Sequence, residues 1–288
     1  MSARGLGAAA LLAASGLGCA SAVNYLDPAG PLHVHPREGA PASALAPGPL
    51  RVVSFNVAYA VEIDRAIEVL LETAPLRGAD VVALQEMDAP GAERIARALG
   101  MNSVYFPSGV HPKYERDFGC AVLSPWPLED PRKLVLPHGA RVSGLRRSAT
   151  SAVVVRGEER VRVYSVHLPS PLAISGGSRK DELRVLAADA AAADGPVVIA
   201  GDFNSHDKVE ELAKAGFTWL TRELRGSTRF SLLGIGLASL SYDHVLARGL
   251  EASKEPGAVG VVEDNRGASD HKPVWAVLVP AGRAGPER

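Results

Sequence analysis

Cysteine is scarce in this chain of 288 residues, which contains only Cys19 and Cys120. Two cysteines so far apart do not form the framework of a disulfide-stabilised domain. Cys120 lies in the apolar stretch FGCAVLS and is therefore predicted to be a small buried core residue.

Aromatic residues and net charge are also low. Phe, Trp and Tyr make up 5% of the chain, and 31 Lys plus Arg oppose 32 Asp plus Glu, giving a formal net charge of -1. Few aromatics argue against a surface that stacks single-stranded bases, and a balanced charge gives no overall attraction to nucleic acid or anionic lipid. A local basic patch is compatible with this aromatic content and this net charge.

Several catalytic motifs are missing as well. The sequence contains no HExxH, no GxSxG, no GxxxxGK[ST] and no Cys/His spacing typical of zinc sites. Zinc proteases, hydrolases with a nucleophile elbow and P-loop enzymes therefore lack support.

Residues 1–22 are predicted to be an export signal, because MSAR precedes a short apolar segment and Ala20-Ser21-Ala22 fits a small-residue cleavage site. Alternatively, GLGC resembles an imperfect bacterial lipobox, whose lipidated Cys19 would tether the protein to a membrane. Both alternatives predict an exported protein, periplasmic or extracellular. Labelling cells with a fatty-acid probe distinguishes them, since only a lipidated Cys19 would be labelled.

The rest of the chain is predicted to be one domain with flanking segments. Residues 23–49 are rich in Pro, Ala and Gly and are expected to be a mostly irregular linker. Residues 50–280 alternate strand-like and helix-like patterns without a second linker, and residues 281–288 form a tail. Helices near both ends, with consecutive strands between them, predict a sheet-rich α/β body with much antiparallel pairing.

Polar side chains repeatedly stand at the ends of apolar strands. The clearest case is GDFN, Gly201 to Asn204, which follows the strand PVVIA. Residues two apart on a strand share a face, so Asp202 and Asn204 could reach one ligand while Phe203 points into the core. A plain turn is the alternative, because Gly, Asp and Asn all favour turns. Similar polar groups are Asn56, Gln85, Glu86, His167, Asp243, His244, Asp270 and His271.

This set of side chains suits chemistry on a phosphate. Carboxylate oxygens bind hard cations such as Mg²⁺ together with substrate phosphate oxygens. Histidine can accept or donate a proton near neutral pH, and carboxamide N–H groups can stabilise charge on a phosphoryl oxygen.

In their order along the chain these motifs resemble the endonuclease/exonuclease/phosphatase superfamily. The resemblance spans about Arg51 to Val279 and rests on FNV, LQE, GCAVLSPWPL, SVHL, GDFN, YDHVL and SDHKP. It implies a four-layered α/β/β/α sandwich, two mainly antiparallel sheets with outer helices, and metal-dependent cleavage of phosphate esters. Mg²⁺ is the implied cofactor, and Mn²⁺ could replace it.

The resemblance also implies a role for each residue. Glu86 would bind the metal directly, with Asn56 and Asp270 near the ion. His271 is preferred over Asp202 as the general base, because pairing with Asp243 would fix its tautomer. The remaining groups would act on the phosphate, with Asn204 and His167 binding its oxygens and Asp202 positioning the water proton.

The substrate is less well indicated. Ala58 stands where the apurinic-endonuclease branch usually carries an acidic metal ligand, so a DNA-repair role is disfavoured. Arg146 and Arg147, close to Arg141, are candidates for binding an anionic substrate. The first hypothesis is an exported phosphodiesterase acting on a small or lipid-derived substrate. A secreted nuclease acting on DNA or RNA is the alternative, and a non-catalytic binding protein on the same fold is the third. No protein partner can be inferred.

Overall fold

The structure of the protein is a computed structural model that describes residues 22–39, 48–232 and 235–282. The predicted export signal and the lipidation of Cys19 fall outside the described residues, as do most of the tail and part of the linker. Among the described residues, no helix combines the length and apolar character needed to cross a membrane.

Two large sheets form the body of the protein. The first contains β1 (His33–His35), β2 (Leu50–Asn56), β3 (Val81–Met87), β4 (Asn102–His111), β5 (Arg116–Ser124), β14 (Leu250–Ala252), β15 (Val259–Val261) and β16 (Val274–Pro280). Its order is β1-β4-β5-β3-β2-β16-β14, with β15 also on β16. Only β2 and β3 pair in parallel.

The second sheet contains β6 (Leu128–Gly139), β7 (Arg146–Arg156), β8 (Glu159–His167), β9 (Val197–Asp202), β10 (Thr218–Trp219) and β13 (Asp243–Arg248). Its order is β10-β13-β9-β8-β7-β6, and only β8 and β9 are parallel. A separate hairpin is formed by β11 (Thr228–Leu232) and β12 (Ile235–Leu240).

The helices cover the outer faces of the sheets. They are α1 (Ile63–Glu72), α2 (Ala89–Leu99), α3 (Gly176–Ala191) and α4 (Glu210–Lys214). Consecutive strand residues serve different layers: Val52 packs between the sheets, whereas Val53 packs against α1 and α2. Likewise Val198 faces the other sheet and Ile199 faces α3 and α4. The central strands are apolar throughout because both of their faces are buried. The predicted α/β/β/α sandwich with mainly antiparallel sheets is confirmed.

Most predicted elements are present, and Cys120 is buried in the core as expected. The sequence pattern does not indicate strand β4, because Pro107, Ser108 and Gly109 interrupt its apolar run. The structure accommodates them with an irregularity in the pairing with β5 between Pro107 and Gly109. Helix α3 begins at Gly176, and the side chain of Ser175 caps it by accepting a hydrogen bond from the Ser178 N–H.

The segment predicted to be a linker is partly attached to the domain. Strand β1 pairs with β4, so that His33 stands opposite Tyr105. Farther toward the amino end, the Tyr25 N–H donates to Ser108 O at 2.9 Å, and the buried Lys133 Nζ donates to Tyr25 O at 2.9 Å. Backbone groups make most of these contacts, which explains why side-chain periodicity gave no sign of them.

Candidate active site

Three predicted site residues lie side by side at one end of the second sheet. In the register of β8, β9 and β13, His167 stands opposite Asp202, and Asp202 stands opposite Asp243. All three are at most 4% exposed. Buried ionisable groups need partners or a ligand, so this sheet end is the natural place to look for chemistry.

The GDFN segment brings Asp202 and Asn204 together through a turn. Strand β9 ends at Asp202, and Asn204 has a φ of 48°, in the left-handed region that Asn tolerates. The Asn204 N–H donates to Asp202 Oδ1 at 2.8 Å. A Cβ on Gly201 would lie 2.0 Å from Val166 O, so the close approach of β8 requires glycine here. The expected convergence is present, but a turn rather than strand alternation produces it, and Phe203 is buried in the core as predicted.

Asp202 is the centre of the site. Asn56 Nδ2 donates to Asp202 Oδ2 at 3.0 Å, and Asn204 Nδ2 does so at 3.1 Å. The same oxygen lies 3.5 Å from His167 Nε2 and 3.6 Å from His271 Nε2. Two carboxamides and two imidazoles from distant parts of the sequence therefore converge on one carboxylate.

Glu86 stands beside this group on the first sheet. It has a φ of 59° at an irregularity in the β3–β5 pairing between Leu84 and Met87, which turns its side chain toward the second sheet. Its Oε1 accepts from Asn56 Nδ2 at 3.3 Å and lies 3.8 Å from His167 Nε2. The Glu86 Oε2 accepts from the Tyr59 N–H at 3.0 Å.

His271 is held by Asp243. Its Nδ1 lies 2.9 Å from Asp243 Oδ2 and 3.0 Å from Oδ1, while the Thr228 hydroxyl donates to Asp243 Oδ2 at 2.9 Å. The imidazole is therefore oriented by one carboxylate and presents Nε2 to Asp202. No motif surrounds Thr228, so the sequence does not indicate its role. It reaches Asp243 only because the β11–β12 hairpin, which begins at Thr228, packs beside β13.

A cavity of about 610 Å³ opens over these groups. Glu86, Asp202 and His271 line it, as does Asp270, whose side chain is exposed. Of the two predicted substrate-binding arginines, only Arg147 is part of the cavity wall. Arg146 is its neighbour on β7 and is therefore expected to face the other side of the sheet.

Arg147 is a half-buried cation without a full set of partners. Its guanidinium lies over the Phe118 ring at 4.4 Å from the ring centre, and its Nη1 has no hydrogen-bond partner among the described residues. An unsatisfied buried donor in the wall of a cavity is suited to an anionic ligand.

The charges in the cavity are strongly coupled. Burial raises the pKa of Asp202 to about 7, although His271 opposes this shift. Burial lowers the pKa of His271, but Asp243 and then Asp202 outweigh burial and raise it to about 10. Burial and the nearby Arg147 hold the pKa of His167 well below its ordinary value. These shifts favour the cationic form of His271 and the neutral form of His167.

The residues fit a hard divalent cation. Glu86, Asp202 and Asp270 line one cavity, and burial raises the pKa of Glu86 despite the opposing charge of Arg147. Asp202, Asp243 and His271 also offer ligand atoms within 4.8 Å of one another. Both oxygens of Asp243 already contact His271, however, so Glu86 and Asp270 are the better candidates for metal ligands. Oxygen donors of this kind suit Mg²⁺ or Mn²⁺.

Removing the negative charge of Asp243 should lower the pKa of His271. Asp243 contributes the largest upward influence on this imidazole, so Asp243→Asn should move the titration of His271 well below the wild-type position near 10. A pH titration of the histidine Hε1 resonances by NMR measures this shift. Glu263→Gln, an exposed change on the loop before β16, is the matched control and should leave the titration in place. An unchanged pKa in Asp243→Asn would contradict the pairing.

Comparisons with known proteins agree with this architecture. The sequence profile described as Endonuclease/Exonuclease/phosphatase family matches residues 53–271. No curated protein matches the sequence. Among solved structures, an endonuclease/exonuclease/phosphatase from Beutenbergia cavernae DSM 12333 is 24% identical, with a TM-score of 0.60 over 81% of this chain and 72% of its own.

Two further structures share the fold at lower identity. D. rerio TDP2 complexed with a single-strand DNA product is 16% identical, with a TM-score of 0.64 over 81% of this chain and 100% of its own. Sphingomyelinase C from Streptomyces griseocarneus is 20% identical, with a TM-score of 0.56 over 80% of this chain and 99% of its own.

Proposed function

Because the chain belongs to the endonuclease/exonuclease/phosphatase family, whose members hydrolyse phosphoester bonds, we propose that it is an exported, Mg²⁺-dependent phosphodiesterase. The observation that carries this proposal is the convergence of Asn56, His167, Asn204 and His271 on Asp202, next to Glu86. Export is inferred from residues 1–22 alone.

Glu86, with Asn56 and Asp270 nearby, would hold the metal ion. Such an ion polarises a phosphoryl oxygen and neutralises charge that develops on it. Asn56 Nδ2 contacts both Glu86 and Asp202, so it also fixes the spacing between the metal-binding and proton-handling sides of the site.

Asp202 is proposed as the group that accepts a proton from the attacking water. A general base is most effective when its pKa lies near the working pH, and the pKa of Asp202 is about 7. This reverses the preference drawn from the sequence, in which His271 was the base. Between Asp243 on Nδ1 and Asp202 near Nε2, His271 stays protonated at neutral pH and therefore suits stabilisation of the phosphoryl group.

Three further groups are suited to bind the phosphoryl oxygens. Asn204 Nδ2 lies 3.3 Å from His167 Nε2 and donates to Leu168 O at 2.9 Å, so the two side chains are held next to each other. Arg147 supplies a positive charge from the cavity wall, and its Nη1, which has no partner within the described part of the chain, can donate to an anion. Together they would favour the transition state, in which negative charge builds up on the phosphate.

A small or lipid-derived phosphodiester is the proposed substrate class. The cavity is of the size that small ligands occupy, and Leu172, at its rim, is 85% exposed and apolar. Among the described residues, Arg147 and Arg229 are the only Arg or Lys side chains in its wall, and two cations are few for binding a nucleic-acid backbone. A nuclease is the second candidate, since D. rerio TDP2 shares the fold and was solved with a DNA product. A binding protein without turnover is disfavoured because every expected catalytic position is occupied.

Hydrolysis of bis-p-nitrophenyl phosphate tests this proposal directly. We expect release of p-nitrophenol with Mg²⁺ and its loss in EDTA, and restoration when Mg²⁺ or Mn²⁺ is added back. Sphingomyelin, inositol phosphodiesters and plasmid DNA, assayed in parallel, separate the substrate classes. A nuclease would cleave the plasmid with steep salt dependence. Absence of turnover on every substrate with either metal would refute the hydrolase assignment and leave the binding protein.

A further inference from the structure

A second cavity adjoins the catalytic cavity. It measures about 470 Å³ and shares Pro171, Asn204 and Tyr242 with the catalytic cavity as common walls. None of the roles described above requires this space. Its remaining walls come from the start of α3 and from the loop that follows Asn204.

The start of α3 offers donors to this cavity. The helix has 16 residues and begins at Gly176, which lines the cavity. The first N–H groups of a helix have no intrahelical acceptor, and Ser175 Oγ caps only that of Ser178. The N–H groups of Gly176 and Gly177 therefore stay available, at the end of the helix where the dipole favours an anion.

A buried cation in the same wall points independently to a ligand. Arg179 is 3% exposed, and its Nη1 donates to Pro169 O at 2.6 Å and to Asn204 O at 3.2 Å. Its Nη2 has no partner among the residues that the structure describes. Burial raises the pKa of the neighbouring Glu182 to about 8, which weakens its neutralisation of this cation.

Lys208 completes the basic side of the cavity. Its Cε lies 3.9 Å from the place that a Cβ on Gly176 would take, so its stem crosses the start of α3. The Lys208 ammonium pairs with Asp207, whose side chain is 72% exposed. An exposed partner of this kind binds weakly, so the ammonium can turn to an incoming anion.

We propose that this second cavity binds a further phosphate group of the substrate, beyond the one that is cleaved. The further phosphate would accept hydrogen bonds from the N–H groups at the start of α3, from Arg179 Nη2 and from Lys208. The inference rests on the proposed phosphodiesterase activity and narrows its substrate class to molecules with two phosphates. Because Asn204 borders both cavities, the two phosphates would lie on either side of this residue.

Matched substrate pairs test the proposal and identify the source of the phosphate. One pair is thymidine 5′-(p-nitrophenyl phosphate) with and without a 3′-phosphate, and the other is glycerophosphoinositol with and without a 4-phosphate. In at least one pair we expect kcat/KM to be about tenfold higher with the second phosphate, the gain typical of a charge-assisted hydrogen bond. A preference for the second phosphate in the nucleotide pair would indicate a nucleic-acid-derived substrate, and a preference in the inositol pair would indicate a lipid-derived one.

Variants at Gly176 separate binding from folding. Gly176→Asp places a carboxylate at the start of α3, where it stabilises the helix but repels a phosphate. The preference for the second phosphate should fall to about 1, whereas the neutral Gly176→Asn should retain most of it. Lys208→Gln should also lower the preference, and Lys214→Gln, another lysine paired with a nearby carboxylate, should leave it unchanged.

Failure of the proposed phosphodiesterase activity and failure of the second phosphate site give different results. If bis-p-nitrophenyl phosphate is not hydrolysed, the proposed function fails. If it is hydrolysed but neither pair shows a preference above twofold, or Gly176→Asp retains a full preference, the second phosphate site is refuted and the phosphodiesterase stands.

Discussion

Replacing Asp202 with Asn should lower kcat for bis-p-nitrophenyl phosphate by about three orders of magnitude, the range expected for loss of a general base. Asn cannot take a proton from water, yet it has nearly the same shape. It keeps an oxygen for the Asn204 N–H, while its amide would face the Nδ2 groups of Asn56 and Asn204, which now donate to Asp202 Oδ2. Loss of that acceptor should lower the free energy of unfolding by about 1–3 kcal/mol.

The measurement needs both kinetics and urea unfolding, so that inactivity can be separated from loss of structure. Asp194→Asn is the matched control, because Asp194 is exposed and precedes the opposite end of the same strand. It should retain full activity. A kcat within tenfold of the wild type in Asp202→Asn would show that another group accepts the proton.

The pH profile adds a second criterion. If Asp202 is the base, the wild-type rate should fall on the acid side as this carboxylate becomes protonated. If His271 were the base, its ion pair with Asp243 would hold it protonated through neutral pH, and activity would rise only toward the pKa near 10. The two assignments therefore differ in where the rise ends: the rate should level off above about pH 7 if Asp202 is the base, and should keep rising through pH 9 if His271 is the base.

The sequence predicted the strands and most of the site because both are encoded locally. Strands such as PVVIA are apolar on both faces, and each is followed at once by its polar residues. The order of the motifs along the chain then indicated the α/β/β/α sandwich through the family resemblance. These polar residues form one site because the ends of their strands meet. The pairing of β8 with β9 brings His167 next to Asp202, and the pairing of β2 with β3 brings Asn56 near Glu86.

What the sequence could not provide depends on contacts between distant segments. Thr228 reaches Asp243 only because a hairpin base packs beside β13, and Arg179 acts through three backbone carbonyls that no side-chain pattern encodes. The general base preferred from the sequence, His271, differs from the one proposed here, Asp202, for a related reason. The proton preference of His271 depends on its distances to Asp243 and Asp202, which motif order does not specify.

Substituting Glu86 with Gln should lower kcat/KM about 100- to 1,000-fold and remove the rise in Tm that we expect Mg²⁺ to give the wild type. Gln retains the size of the side chain but not the charge that would hold a cation. Its amide can still meet one of the two donors, Asn56 Nδ2 or the Tyr59 N–H. Glu93→Gln, an exposed change on α2, is the control and should leave both quantities unchanged.

Stability in the absence of metal gives an independent check on Glu86. Burial raises its pKa above the unfolded value, so the native state binds the proton more tightly than the unfolded state. The wild type therefore gains stability as the pH falls through the folded-state pKa, and this gain is lost as the pH rises. Glu86→Gln lacks the titration, so the Tm of the metal-free wild type should rise relative to the variant as the pH falls toward the ordinary carboxyl value of 4.5. A difference in Tm between the two proteins that does not change with pH would contradict the burial of an ionisable carboxyl group at Glu86.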